Sequence, residues 1–188
     1  MTDAHPDAVV HETTSIGGRK PDFKHMDRWF ATTNRLRTEG TDHLLGAGGA
    51  VLRYGALYGP GATDDQLELV RKRQFPVVGA GTGHSWWVHV DDAASATVLA
   101  VERRATGLFN VVDDEPAPSS EWLPHLAACA GVTPPWRVPT WLARLLAGDV
   151  AVAMMTEGRG FSNAKARREL GWEPRYPSWR QGFEQGLR

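Results

Sequence analysis

The chain has 188 residues, 41% of them hydrophobic and 23% charged, with 21 basic against 22 acidic side chains. One domain of this length buries a core without disulfide or metal support. The formal charge of -1 removes the electrostatic basis of nucleic-acid binding, and the single cysteine, Cys129, excludes an internal disulfide and a Cys-based zinc site.

No apolar run approaches the ~20 residues that span a bilayer, and residues 1–7 lack the apolar core of a signal peptide. A cytoplasmic protein with neither a membrane nor a nucleic-acid partner is expected. Ala8-Val9-Val10-His11 reads as a short buried strand, followed by a Gly-Gly turn at 17–18. From Asp27 onward, Trp29, Phe30, Thr33, Leu36, Gly40, Leu44 and Leu45 recur at helical spacing. Gly46, Gly48 and Gly49 break that helix, and Ala50 to Tyr54 follows as a second strand, ended by Gly55 and by Tyr58-Gly59-Pro60-Gly61.

Thr63 and Gln66 read as a capping box, with Asp64 and Asp65 in the first turn and Arg71-Lys72-Arg73 in the last, a charge order that suits the helix dipole. Pro76 to Gly79 is a short extended piece, and Gly79-Ala80-Gly81-Thr82-Gly83 a hairpin-like loop. Trp86 to Val90 is strand-like. Asp91 then starts a helix with Ala94, Val98 and Val101 as its apolar face. Gly107 to Val112 is a strand ending in the acidic turn Asp113-Asp114-Glu115-Pro116, expected to be solvated.

Ser119 is expected to cap a helix whose stripe is Trp122, Leu123, Leu126, Ala127 and Ala130, with Cys129 as an inert core thiol. Trp136 to Pro139 is extended, and Thr140 opens a helix through Trp141, Leu142, Leu145 and Leu146 that continues past Gly148 to Met155. Asn163 caps a basic helix stopped by Gly171, on which Lys165, Arg167 and Arg168 read as a solvated face. Ser178 and Gln181 form a second capping box over Trp179, Phe183 and Leu187. Trp87, Trp122, Trp136, Trp141 and Trp172 all fall in segments read as packed. Strands alternate with helices, which makes this an α/β chain.

Four strings now point one way. Leu52-Arg53-Tyr54-Gly55-Ala56-Leu57-Tyr58-Gly59-Pro60-Gly61 resembles the strand and YGPG turn of the NAD-dependent epimerase/dehydratase family, the extended short-chain dehydrogenase/reductases. Trp87-Val88-His89-Val90-Asp91-Asp92-Ala93-Ala94 is similar to that family's FVHVDDVA helix entry, and Phe109 to Pro116 to its YNVGDGEP strand and turn. Ala164 to Pro174, ending in Leu170-Gly171-Trp172-Glu173-Pro174, resembles its terminal LGW-x-P element. Each string alone is weak, but four in the family's order are specific, and they cover residues 50–188. Residues 7–11 are similar to a family strand that runs beside the cofactor. Residues 37–45 are similar to its NVxGTxNLL helix.

The resemblance implies an incomplete Rossmann-like parallel sheet plus a small, mostly helical C-terminal substrate lobe. It places the partial Rossmann-like unit in residues 1–112, interleaved with a lobe made of 61–85 and 113–188. It implies NAD or NADP as cofactor, with Thr13, Thr14, Tyr54 and Gly55 on the nicotinamide side. Ala56, Leu57 and Arg159 would face a small-molecule substrate, the Arg standing between glycines where its guanidinium is accessible for bidentate contact.

Two family blocks have no counterpart here. A dinucleotide cradle needs a Gly-rich turn between strand and helix, and none precedes the first strand candidate. Met1 stands only seven residues ahead of Ala8, whereas a βαβ unit takes at least ~30, so no nucleotide-binding unit is expected there. The catalytic segment, with its Ser strand and Tyr-x-x-x-Lys pair, is missing between Ala47 and Gly48. Tyr54, Tyr58 and Tyr176 are followed four residues later by Tyr58, Ala62 and Arg180. No catalytic residue is therefore assigned. The relay Asn corresponds to Arg37, and the Arg that grips phosphate in nucleotide-sugar members corresponds to Ser85, which argues against a nucleotide-sugar substrate.

His84, His89, Asp91 and Asp92 lack metal-ligand spacing, so no metal is expected. Ser15, His11 and Asp7 have no elbow motif and make no nucleophile triad. The expectation is an NAD(P)-linked epimerase, dehydratase or oxidoreductase by descent, truncated in its chemistry. A non-catalytic binding module and a degenerate remnant are the alternatives. Without the catalytic segment, the strand at 51–54 is expected to expose an edge through which the chain self-associates.

Overall fold

The computed structural model describes residues 26–187. The strand expected at 8–11, the turn at 17–18 and the candidate residues Thr13 and Thr14 lie outside them. The predicted first helix is α1 (Met26–Gly46), joined through Ala47-Gly48-Gly49 to β1 (Ala50–Tyr54). The join is closed by Gly49 N donating to Leu44 O at 2.7 Å, with Gly48 at φ 76°. That left-handed geometry is nearly free of strain for glycine only. A second strand, β2 (Ala56–Tyr58), continues from Gly55, and α2 (Asp64–Arg71) follows the Gly-Pro-Gly turn.

Next come β3 (Val77–Val78), β4 (His84–Ser85), β5 (Trp87–His89) and α3 (Val90–Glu102). The C-terminal half holds β6 (Gly107–Val111), β7 (Ala117–Pro118), α4 (Ser119–Cys129), β8 (Arg137–Val138), α5 (Thr140–Glu157), α6 (Ala164–Leu170) and α7 (Trp179–Gln185). Among the described residues the strands pair two by two. β1 runs parallel to β6, β2 to β5 and β3 to β8, while β4 and β7 are antiparallel. Parallel strands joined by helices make this a partial Rossmann-like fold. The glycine run 79–83 is not a hairpin, because β3 and β4 belong to different sheets.

Two cores hold the chain. One is aromatic: Tyr58, Trp87, Trp122, Trp179 and Phe183 pack with Leu123 and Leu126 between β2, β5, α2, α4 and α7. The other gathers small residues of α3 (Ala93, Ala96, Ala100) against Val88, Phe109, Val111, Leu170 and Trp172. Trp87, Trp122 and Trp172 are buried as expected, whereas Trp136 and Trp141 are exposed at 46% and 68%.

The face of α3 is a correction. Ala94, Val98 and Val101 point outward, and Ala93, Ala96 and Ala100 point inward. The deciding group is Asp92, whose buried carboxylate accepts Arg175 N at 2.7 Å and Tyr176 N at 3.0 Å. Rotating Val98 inward would pull that carboxylate off two backbone donors, and a buried unpaired charge costs more than an exposed valine.

Three expected caps also differ. Thr63 Oγ1 bonds Gly59 N and O instead of its own helix. Ser119 sits inside α4 and donates to Met155 O at 3.1 Å. Asn163 donates to Val112 O and Asp114 Oδ1. Thr63 is taken up by the turn four residues before it, while Ser119 and Asn163 are drawn to carbonyls far along the chain, Met155 O and Val112 O. Ser178 does cap α7, accepting from Arg180 N, and α3 is capped by His89 Nδ1 accepting from Asp91 N, not by Asp91 itself.

Candidate functional site

Gly55 is where the chain changes partners. Its N–H donates to Val111 O of β6 at 3.0 Å, and the next N–H, of Ala56, donates to Trp86 O beside β5 at 2.8 Å. A Cβ on Gly55 would lie 2.8 Å from Trp86 O, so a glycine is required for the two strand pairs to split here. In open α/β sheets, ligands bind outside the carboxyl ends of the strands at such a switch.

Of the expected cofactor residues, Tyr54 ends β1 with its hydroxyl 2.6 Å from Thr97 Oγ1 of α3. Thr97 gives its only proton to Ala93 O at 2.9 Å, so the phenol is the donor. Ala56 is half-buried against the aromatic core, while Leu57 is 41% exposed. Arg159 is exposed and has no ion-pair or hydrogen-bond partner among the described residues.

Arg159 is carried by a strap, residues 158–162, tied down along its length. His84 N donates to Gly158 O at 2.8 Å, and Gly160 lies against the Pro116 ring. The Phe161 and Trp86 rings meet edge to face at 4.6 Å, and Asn110 Nδ2 donates to Ser162 O at 3.4 Å. Gly158 allows no side chain, since a Cβ would sit 2.6 Å from His84 O. The strap therefore passes beside the amino end of β5 and the carboxyl end of β6 on several fixed points. Sequence reasoning missed Trp86 and Phe161. The signal for Trp86 was present: alternation along 86–89 sends Trp87 and His89 to one face and Trp86 and Val88 to the other. Nothing local marks Phe161.

The remaining tyrosines serve packing. Tyr58 is fully buried, its hydroxyl without a partner, and burial pushes its pKa up, helped by Asp113 and Asp92. Tyr176 is buried against the His89 ring at 4.4 Å. Asp113, expected in a solvated turn, is 2% exposed; burial pushes its carboxyl up to about 8, although Glu115 N and Trp179 N donate to it. Only Asp114 and Glu115 of that acidic run reach cations, at Arg167 and Arg180. Lys165 is likewise more than a solvated face, donating to Leu108 O and lying 4.4 Å over the Phe109 ring.

A dinucleotide does not fit the described residues. The one Gly-rich turn that leads from strand to helix, Gly59-Pro60-Gly61, spends its geometry on Thr63 and opens into Asp64 and Asp65. Two carboxylates in a first helical turn repel a pyrophosphate. No group of three or more potential metal ligands occurs among the described residues, and no described helix is long and apolar enough to cross a membrane.

No family model matches the chain. A 3-diazoavenalumate denitrifying reductase from a Streptomyces species is 35% identical over 244 aligned residues, covering 96% of this chain and 79% of the relative. Solved structures with the same fold include an epimerase family protein and a dehydratase. Human epimerase family protein SDR39U1 with NADPH gives a TM-score of 0.65 at 21% identity, covering 74% of this chain and 48% of that one. The dTDP-glucose 4,6-dehydratase of Bacillus anthracis with NAD gives 0.60 at 17% identity, covering 96% and 56%.

The chain belongs to the NAD(P)-dependent epimerase/dehydratase family.

It spans about half the length of the solved family members it matches. Its alignment with the Streptomyces reductase runs to 244 positions, more than the 188 residues of this chain, so the reductase carries residues with no counterpart here.

Proposed function

We propose that this chain is a small-molecule-binding member of the epimerase/dehydratase family that lacks, within itself, the family's hydride-transfer machinery. One observation carries the reading. The tyrosine hydroxyls are committed to packing or to Thr97, while the region around the change of partner at Gly55 still presents Leu57, Trp86 and Arg159. A phenolate acid/base needs a free hydroxyl and a cation beside it to lower its pKa. Tyr58 is displaced in the opposite direction. The surplus of aligned positions over this chain's length supports the loss of an internal block, which we place between Ala47 and Gly48, where family members carry their catalytic segment.

In this reading Ala56, Leu57 and Arg159 face the ligand. Tyr54 and Gly55, with Thr13 and Thr14, mark the side on which a nicotinamide lies in complete members. The Streptomyces relative is a reductase by name, and solved members hold NADPH or NAD. Among the described residues no turn suits a pyrophosphate, and that supports this part of the reading. A cytoplasmic location accords with its single cysteine. Isothermal titration of the purified chain with NADPH and with NADH is expected to show no heat of binding. Micromolar affinity at 1:1 stoichiometry for either would overturn the reading.

A further inference from the structure

Resting on the small-molecule site proposed above, we infer that Trp86 and Phe161, with Arg159, form a subsite for a planar aromatic carboxylate. The strap is held at Gly158, Gly160, Phe161 and Ser162 by four separate contacts. Its order is therefore already established before any ligand arrives, which removes much of the entropy loss that a loose loop incurs on binding. Between those fixed points stands Arg159, which the fold leaves unused, and the Phe161 ring is only partly spent on Trp86. Arg159 has no acidic partner: Glu157, the nearest acid in sequence, makes no ion pair with it. Phe161 keeps 44% of its surface exposed although its ring touches Trp86 at 4.6 Å.

Register adds a third surface. Leu57 is paired with Val88, two residues along from Trp86, and keeps 41% of its surface exposed, which leaves apolar surface on the strand pair that Trp86 leads into. An aromatic ring joining an existing edge-to-face pair gains quadrupole contacts beyond its area. A guanidinium binds a carboxylate through two parallel hydrogen bonds. One cation with no second base in the strap matches a monoanion better than a phosphate dianion.

The test uses the full 188-residue chain without cofactor, titrated calorimetrically with 4-hydroxycinnamate, its methyl ester, cyclohexanecarboxylate and inorganic phosphate. The aromatic acid is expected to bind saturably. Both the ester and the alicyclic acid should bind at least about tenfold more weakly, as loss of a charge-assisted bond or a stacking ring implies. Phosphate should give no heat. Arg159→Gln should erase the preference for acid over ester and leave ester binding unchanged. Phe161→Leu should weaken the acid by about fivefold or more, and Trp86→Leu by more, with the melting temperature recorded for both because this ring contact also ties down the strap.

Absence of saturable binding by the folded chain overturns the subsite, as do equal affinities for acid and ester or an indifferent Phe161→Leu. NADPH binding bears only on the function proposed above, so the two readings fail separately.

Discussion

The two ends of this molecule are built to different standards of closure. Around Tyr58 the aromatic core is sealed: Trp87, Trp122, Trp179 and Phe183 are each at most 3% exposed and meet edge to face at 4.9–6.3 Å or tilted. Around β1 the opposite holds. α1 runs for 21 residues and buries only Thr33 among its described side chains, and β1 meets a single strand, β6. Parallel strands are normally covered on both faces and paired on both edges. A region so open was shaped for neighbours that the described residues do not supply, whereas the aromatic lobe supplies its own.

The largest effect expected from this contrast is in the sealed region. A Cβ on Gly182 would lie 1.8 Å from the Tyr58 hydroxyl, so Gly182→Ala has nowhere to relax. It should lose about 3 kcal/mol, lowering the melting temperature by about 6–12 °C. Tyr58→Phe removes the obstructing oxygen, whose hydroxyl has no partner. Alone it should be neutral or stabilising by about 1 kcal/mol, and in the double variant it should recover only part of the loss, since Cζ and Cε2 of the ring stay 2.4 and 2.5 Å from the added Cβ. A double variant as unstable as Gly182→Ala would contradict the contact.

The open region predicts self-association. Alternation along β1 turns the backbone of Ala50 and Leu52 away from β6, toward an edge that no described strand covers. Sedimentation should show a weight-average mass that rises with concentration. A chain that stays monomeric at high concentration and melts above ~65 °C, beyond the usual mesophile range, would break the comparison between the two ends.

A smaller effect is expected from Asp113, inside the sealed core. Its folded carboxyl titrates near 8, far above an unfolded aspartate at 3.8. Between those values the unfolded state has lost the proton that the folded state keeps, so this group's contribution is full below pH 4 and is lost as pH rises toward 8. Asp113→Asn should remove that slope. The difference in melting temperature, variant minus parent, should therefore grow from pH 5 to pH 8 and then level off. A constant difference would show that Asp113 is ionised in the folded protein.

The smallest change belongs to α5. Leu145 and Leu146 are 64% and 67% exposed, and Leu146→Gln should move stability by no more than about 0.5 kcal/mol while improving solubility.

Legibility followed the same divide. The helices from α1 to α7 and the strands β1, β3, β5, β6 and β8 could be read from hydrophobic period and glycine breaks, the short strands β2, β4 and β7 could not, and the turn strings pointed to the family. Local chemistry was read less well wherever a distant group competed for it. The hydroxyl of Ser119 and the amide of Asn163 satisfy remote carbonyls, so neither caps the helix beside it. Asp92 turns α3 by binding a backbone segment more than eighty residues away. Of the candidate site, Leu57 and Arg159 are accessible at the strand ends, Tyr54 is committed to Thr97, and the Trp86–Phe161 contact had no local signature.

Residue type and spacing by themselves determined where the helices and the longer strands lie, where Gly46 and Gly171 end helices, and which family the motifs resemble. Those are short-range consequences of backbone freedom and hydrophobic period. Only the tertiary structure decided which face of α3 is buried, that Asp113 is enclosed with its carboxyl pushed up, and that Arg159 stands unpaired on a strap whose Phe161 meets Trp86. Each of these outcomes depends on desolvation and on hydrogen-bond competition between groups far apart in the chain, and that competition is resolved only when the segments meet.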